Sequence, residues 1–553
     1  MPTPDSIVRF EIRRSATKGL NGQGQEILTG TITDVNLFVP PNQLCPAPNP
    51  NSERCYDDNL PVPLGGALWY SIKGIQASGA TFNENIVGVE RNQVPGISTH
   101  AERLGGTSYI DVSTVNSLLV SGTSLFVAGK FTNTINFFGQ SATAAAANDA
   151  YITKINASRV PQWPTIPRIS GTNNLVVSQI CIDTTGDIYI CGYHQSALTF
   201  PGQSQIPPPH AGFNSMFLAK FLGSNGTFVW GKVWGSTGEV RGLGLCIDST
   251  GSLIIAARFT GEITLPGLSP ITSGGGTEGL MIKVNASNGL PIWGFQIGGN
   301  ASDTLESVAP VSTGGVIAIG TFSSDTVNFG GITKTRIGPQ DGFIAKYLVS
   351  GGSAPTLSWV NSYGNTGGTG LFFTRVTVGG VSNQIAFCGA MRGLLSVGGS
   401  VLNAPDATGI LTAKYDSSGN HIWSRCDGGA GSSNNDSGSD VAIGSTGIVY
   451  VAAKLRSGWD FGNGNLTWNP LTVDPCSLKF AAANGSAIWS NRYTSGVVGA
   501  GTDGDFGLAV ALNETQGKVF FGGLYTDLIS FPTFGPLQAP PGAIEGFVDE
   551  IVI

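Results

Sequence analysis

From about residue 117 onward the chain alternates short apolar runs with glycine-containing turns. Runs such as Leu125-Phe126-Val127-Ala128-Gly129, Ile188-Tyr189-Ile190-Cys191-Gly192, Val316-Ile317-Ala318-Ile319-Gly320 and Val519-Phe520-Phe521-Gly522-Gly523 are apolar at every position. A strand with one face in water would alternate, so these runs predict strands covered by sheets on both sides. The small residues at their ends predict close approach to a neighbouring backbone. Before each run comes a turn such as Ile182-Asp183-Thr184-Thr185-Gly186 or Ile247-Asp248-Ser249-Thr250-Gly251, with Gly for positive φ and Asp, Ser or Thr for local hydrogen bonds. After it comes an excursion with its own signature, as in Ile135-Asn136-Phe137, Leu198-Thr199-Phe200-Pro201-Gly202, Val327-Asn328-Phe329-Gly330-Gly331 and Ile529-Ser530-Phe531-Pro532.

A third strand usually opens with an acid and carries a lysine: Asp149 with Lys154, Glu278 with Lys283, Asp341 with Lys346, Asp474 with Lys479. Lys220 and Lys414 match without the acid, and the last unit has Glu550 where the lysine belongs. A fourth strand bears a tryptophan. Trp163, Trp230, Trp293, Trp359, Trp423 and Trp489 are 63 to 67 residues apart. A periodic unit of four short strands predicts a β-propeller, which protects sheet edges by radial repetition. The seventh unit runs out after its third strand, and Ala67-Leu68-Trp69-Tyr70-Ser71-Ile72-Lys73 resembles the missing fourth. The expected fold is therefore all-β: a seven-bladed β-propeller of four-stranded blades, its last blade completed by an N-terminal strand around Trp69, plus an N-terminal β-rich arm. The expected division is an arm over 1–60 and a propeller over 61–553 with an insertion at 77–112. An open solenoid would have no reason to start and stop out of phase.

The pattern Phe329-Gly330-Gly331, then Asp341-Gly342-Phe343-Ile344-Ala345-Lys346-Tyr347, then Trp359 resembles the SBBP-type β-propeller repeat family. The likeness covers about residues 117–553 and the strand at 67–73. It implies a propeller found mostly in secreted or surface proteins and implies no catalytic residues, so none are carried over. Glu550 and the segment Gly379-Gly380-Val381-Ser382 depart from the pattern.

In the arm, Ile7-Val8-Arg9-Phe10-Glu11-Ile12-Arg13 alternates and Ile32 to Val39 is β-prone. Two strands alone are marginal in water, so the arm is expected to pack on its own propeller or to engage another subunit by strand addition. Residues 77–112 read either as a functional loop or as a lid over the closure seam.

Composition changes this picture little. The 80 glycines and 12% charged residues suit a turn-rich β protein, and a net charge of −7 with no basic stripe argues against nucleic acid. No run approaches a membrane span, and Met1–Leu20 lacks the apolar stretch of a signal peptide, yet the polar, charge-poor surface reads as extracellular, cell-surface or virion-like. Cys181, Cys191, Cys246 and Cys388 recur at repeat positions as small buried residues, whereas Cys45 and Cys55 either pair or stay free. His100, His194, His210 and His421 fall at unrelated positions, so no metal site is expected. Asn434–Asp440 and Asp503–Asp505 have calcium-like composition but read as turns. Eight Asn-Xaa-Ser/Thr sequons occur, among them Asn156, Asn225, Asn285 and Asn484.

Residues repeated seven times cannot form one asymmetric active site, so the acid, lysine and tryptophan positions are expected to be structural. The expectation is a non-catalytic scaffold or adhesion component of an extracellular or virion assembly. It has no catalytic, cofactor or metal residues and no cofactor, and its partners are other subunits or carbohydrate. A carbohydrate- or protein-binding module is the alternative. An enzyme, such as a polysaccharide lyase or glycosidase, would need unrepeated polar residues converging on one face.

Overall fold

The computed structural model describes the backbone of four strands within residues 1–94. Beyond them it describes residues 97–105, 112–349, 351–365, 370–380, 382–428, 436–456, 461, 473–495, 506–526, 528–531, 536–539 and 543–553. The chain divides into two compact units, Met1–Val94 and Pro95–Ile553. The first contains one antiparallel sheet in the order Ile27–Ile32, Ile7–Ser15, Leu68–Gln76, Thr81–Val89.

The second unit is a seven-bladed propeller. Blade 1 comprises Ser113–Ser121, Ser124–Phe131, Asn148–Ile155 and Arg168–Gly171, with Leu198–Thr199 added outside as a fifth strand. Blades 2 to 6 are four-stranded sheets over 176–234, 240–297, 303–363, 371–428 and 437–492. Blade 7 is Phe506–Asn513, Lys518–Thr526, Ile544–Val552 and Ile97–Leu104. Each first strand packs against the first strand of the next blade, and the seventh packs against the first, so the ring is closed. The second strands are as apolar as they read: every residue of Gly315–Phe322 is buried.

Two β-bulges repeat around the ring. One lies in each first strand, between Val115 and Ser117, Val177 and Gln179, Gly242 and Gly244, Leu305 and Ser307, Phe373 and Arg375, Gly438 and Asp440, and Gly507 and Ala509. A bulge adds one residue to its strand and re-aims the side chains around it. Opposite it, Gly192, Gly320 and Gly389 meet the first strand so closely that a Cβ would lie 1.9 Å from a carbonyl oxygen. The second bulge follows the lysine of the third strand, as between Lys283 and Val284.

That second bulge corrects the closure. The Trp69 strand belongs to the first unit, where it pairs with Ile7–Ser15 and Thr81–Val89. Ile97–Leu104, inside the supposed insertion, completes blade 7, with the same bulge after Glu550. Spacing selected Trp69 because a tryptophan was expected. The closing strand instead places His100 opposite Glu550, where other blades set Trp against Lys. Both partners changed together, which hid the strand.

In blades 1 and 5 the Lys–Trp couple grips the next blade. Lys154 Nζ and Trp163 Nε1 both donate to the Gly223 carbonyl of blade 2, at 3.0 and 3.1 Å. Lys414 Nζ and Trp423 Nε1 do the same at Ala482 of blade 6, at 2.9 and 3.1 Å. At the seam the polarity reverses. Glu550 accepts from Arg159 Nη2 of blade 1 at 3.0 Å and from Thr99 Oγ1 of the closing strand at 3.0 Å, and pairs with Lys518 at 2.9 Å.

Trp163 also lies flat on Gly226, whose φ is +75° and whose added Cβ would come within 2.8 Å of the indole. Gly226→Ala is expected to cost about 2–5 kcal/mol, combining left-handed strain with overpacking. Gly202→Ala has a similar φ of +69° but nothing within 4 Å, and should cost only the backbone term, about 1–2 kcal/mol. Urea unfolding of the two variants separates the contributions.

Blade 7 holds a second oddity. Asp549 occupies a position filled in blades 2 to 6 by Ala219, Ile282, Ala345, Ala413 and Leu478, and is fully buried. Its Oδ2 accepts from Ser98 Oγ of the closing strand at 3.0 Å and from Tyr493 OH of blade 6 at 2.9 Å. Burial pushes its pKa up to about 7, the neighbouring Glu550 carboxylate adding to the rise. An acid with a raised folded pKa stabilises the fold while protonated. That contribution is full below the unfolded pKa near 4 and is lost as pH rises through about 7. Asp549→Asn mimics the neutral form. It should melt above the wild type at pH 8, with the difference shrinking towards pH 5.

Candidate functional site

The repeated polar residues are structural. Lys283 and Asp248, both buried, pair at 2.8 Å, and Lys283 also donates to the Val349 carbonyl at 2.7 Å. Burial would raise the Asp248 carboxyl, but Lys283, Thr250 and the Ser252 N–H together hold it below the usual range. The acids opening the third strands tie down preceding loops: Asp341 accepts from the N–H groups of Ile337 and Gly338 at 2.7 and 2.8 Å. Asn156, Asn225, Asn285 and Asn484 sit in the hairpin turns between third and fourth strands. Each side-chain oxygen accepts a backbone N–H two residues on. Cys181, Cys191, Cys246 and Cys388 are buried free thiols. The four histidines do not converge, and among the described residues no group of His, Cys, Asp and Glu could hold a metal. Cys45, Cys55, Asn434, Asn435 and Asp503–Asp505 lie outside the described residues.

What does converge is unrepeated and sits at the ring's axis, because the first-strand bulges aim their residues there. Arg375 of blade 5 reaches across to blade 2, where its Nη1 donates to Gln179 Oε1 at 2.6 Å and its Nη2 to the Ser178 carbonyl at 3.3 Å. It also meets the Leu243 carbonyl of blade 3 at 3.4 Å and Asp440 Oδ1 of blade 6 at 3.4 Å. Asp440, read as part of a calcium-like turn, is an axial carboxylate instead. Burial raises its pKa despite Arg375 and the N–H groups of Val510 and Val441.

In four of the seven blades the residue after the bulge also latches the next blade. Ser117, Gln179, Ser307 and Asp440 accept from the backbone N–H of Ile180, Leu245, Val376 and Val510, in each case the residue that follows the equivalent position in the next blade, at 2.9–3.3 Å. Gly244, Arg375 and Ala509 cannot do so. The position therefore tolerates variation, and variation supplies the axial chemistry.

Glu306 is the bulge residue of blade 4. About a quarter of its side chain (24%) opens to the channel, with Arg258 Nη1 3.9 Å away. Protein surrounds the carboxyl, and this burial raises its pKa, opposed by Arg258, Thr304, Arg375 and Arg241. Nearby Glu239 goes the other way. Burial is outweighed by hydrogen bonds from Asn214 and Arg241, which hold it below its ordinary range. Glu239 Oε2 accepts from Arg241 Nη2 at 2.8 Å, and Arg241 lies 5.0 Å over the Tyr193 ring. The cross-strand pairs Thr114–Lys130, Arg241–Arg258 and Ser437–Lys454 all stand two residues before a bulge, so cations gather at this end of the axis. Two carboxyls with opposite shifts beside fixed cations can separate a proton carrier from a permanent charge. The sequence signal for this cluster was divergence: laying the seven first strands over one another exposes Gln179, Glu306, Arg375 and Asp440 as departures from the repeat.

No protein-family model and no curated protein matches the chain. Among solved structures it is similar to a quinohemoprotein alcohol dehydrogenase from Comamonas testosteroni, at 11% identity and TM-score 0.35 over 82% of this chain and 76% of that one. It is also similar to a europium-containing methanol dehydrogenase, at 10% identity and TM-score 0.32 over 82% and 93%. Both names are those of enzymes. The expectation of a non-catalytic structural or adhesion scaffold rested on the absence of a catalytic constellation, and it is corrected on the structure itself: unrepeated polar residues do meet at the axis.

Proposed function

We propose that the propeller is an enzyme whose axial mouth holds a small anionic substrate and exchanges a proton with it through Glu306. The observation that carries this reading is the convergence of Glu239, Arg241, Arg258, Glu306, Arg375 and Asp440, from blades 3 to 6, none of which belongs to the repeated acid, lysine and tryptophan positions. Arg258 is the cation offered to the anion. Arg241 is oriented by Glu239, which stays ionised. Glu306, kept protonated to higher pH by burial, is the acid or base. Arg375 closes the floor of the site.

Isothermal titration against a panel of small mono- and dicarboxylates tests this. The wild type should bind at least one, with proton uptake or release above the ordinary carboxylate range visible as a dependence on buffer ionisation. Arg258→Gln should weaken that binding about tenfold or more, the loss of one charge-assisted hydrogen bond. Glu306→Gln should bind without the proton exchange. Absence of binding across the panel, or binding indifferent to both substitutions, refutes the proposal.

A further inference from the structure

The outer strand of blade 1 is unlike the other five that bear a tryptophan. Prolines at 161, 164 and 167 interrupt it, so the ladder to the third strand is kept near Pro161 and Arg168–Gly171 but lost between them. Trp163 still fills its slot against Gly226. Pro164 and Thr165 are exposed, Ile166 returns to the core, and Arg168–Gly171 continues outward to pair with Leu198–Thr199 of blade 2. The result is a cleft of about 780 Å³ between the rims of blades 1 and 2. That is the size range of small-molecule sites.

Its lining is chemically mixed. Phe228 and Phe200 form a stacked pair, centroids 5.4 Å apart and planes at 16°, with Phe228 half-buried at the wall. The hydroxyls of Thr165 and Thr199 face no protein partner among the described residues, and Thr143 has only Thr134 at 3.4 Å. Among the described residues Arg168 is the one cation lining the cleft. Its nearest charge is Asp149 at 3.9 Å, and Asp149 Oδ2 already accepts from Ala145 N–H and Ser170 Oγ at 2.9 and 3.0 Å. The guanidinium thus has donors to spare, in the planar fork that matches a carboxylate.

We infer that this cleft binds a hydroxylated ring carrying one carboxylate, a hexuronic acid unit, with the ring's apolar face on Phe228 and its carboxylate on Arg168. Threonine hydroxyls, both donors and acceptors, suit sugar hydroxyls. The site is independent of the axial cluster, from which it shares no residue.

The test is titration of the full chain with cellobiouronic acid and, in parallel, neutral cellobiose. The wild type should bind the acidic sugar saturably and at least tenfold more tightly than the neutral one. Arg168→Gln should erase that preference, and Thr165→Trp, an exposed position on the cleft wall, should abolish binding of both sugars while leaving the melting temperature unchanged. Glu306→Gln should leave both affinities unaltered. No saturable binding by the wild type, equal affinity for the two sugars, or a loss caused by Glu306→Gln but not by Arg168→Gln would overturn the inference.

Discussion

A chain starting at Pro95 is expected to keep a folded ring, whereas one starting at Gly106 is expected to aggregate or lose most of its stability. The second truncation removes Ile97–Leu104 and leaves Ile544–Val552 as an unpaired edge. It uncovers the site of Leu104, which is fully buried. It also strips partners from three buried acids: Arg103 from Glu545 at 2.8 Å, Ser98 from Asp549 and Thr99 from Glu550 at 3.0 Å. Each acid left short of a partner costs on the order of 1–3 kcal/mol, so the sum approaches the whole stability of an ordinary domain. Size-exclusion chromatography and thermal melting of both truncations decide the matter. If the Trp69 strand closed the ring, the two truncations would fail alike.

The second large effect belongs to Arg375. Replacing it with Met is expected to destabilise the propeller by about 3–5 kcal/mol, the range for removing one partner of a buried charged pair. The side chains of Arg375 and Asp440 are only 14% and 16% exposed, so water cannot replace what is lost. Gln179 of blade 2 would lose its 2.6 Å donor from blade 5 at the same time, loosening a contact that spans the ring. Adding Asp440→Asn should recover part of the loss, because the orphaned carboxylate is then neutral while its oxygen can still accept from Val510. Denaturant unfolding of the single and double variants measures this coupling. A loss below about 1 kcal/mol for Arg375→Met would mean that the pair is solvated like a surface bridge.

Much of the fold was legible because each strand announces itself locally. The apolar runs that end in Gly192 or Gly320 could only be strands covered on both sides, and their glycines do meet a neighbouring carbonyl. The six spaced tryptophans marked outer strands, and four of them lie on the positive-φ glycine of the next blade's turn: Trp163 on Gly226, Trp230 on Gly289, Trp359 on Gly419, Trp423 on Gly485. The closing strand was misplaced for an equally local reason. A tryptophan at residue 69 satisfied the spacing, whereas His100 opposite Glu550 satisfied the hydrogen-bond register, and only the register defines a sheet.

The candidate site was illegible because its residues follow no period. Gln179 and Arg375 are 196 positions apart and meet only because the ring closes. Repeat reasoning discounts a residue that departs from the consensus, yet the axis is where departures accumulate, since the bulge there needs no particular side chain. The sequence by itself determined the number of blades, the role of each strand and the structural nature of the lysine and tryptophan rings, because those depend on periodicity and on contacts between adjacent units. Only the tertiary structure decided which strand closes the ring and which charges share its axis, because both depend on bringing together segments that the chain keeps hundreds of residues apart.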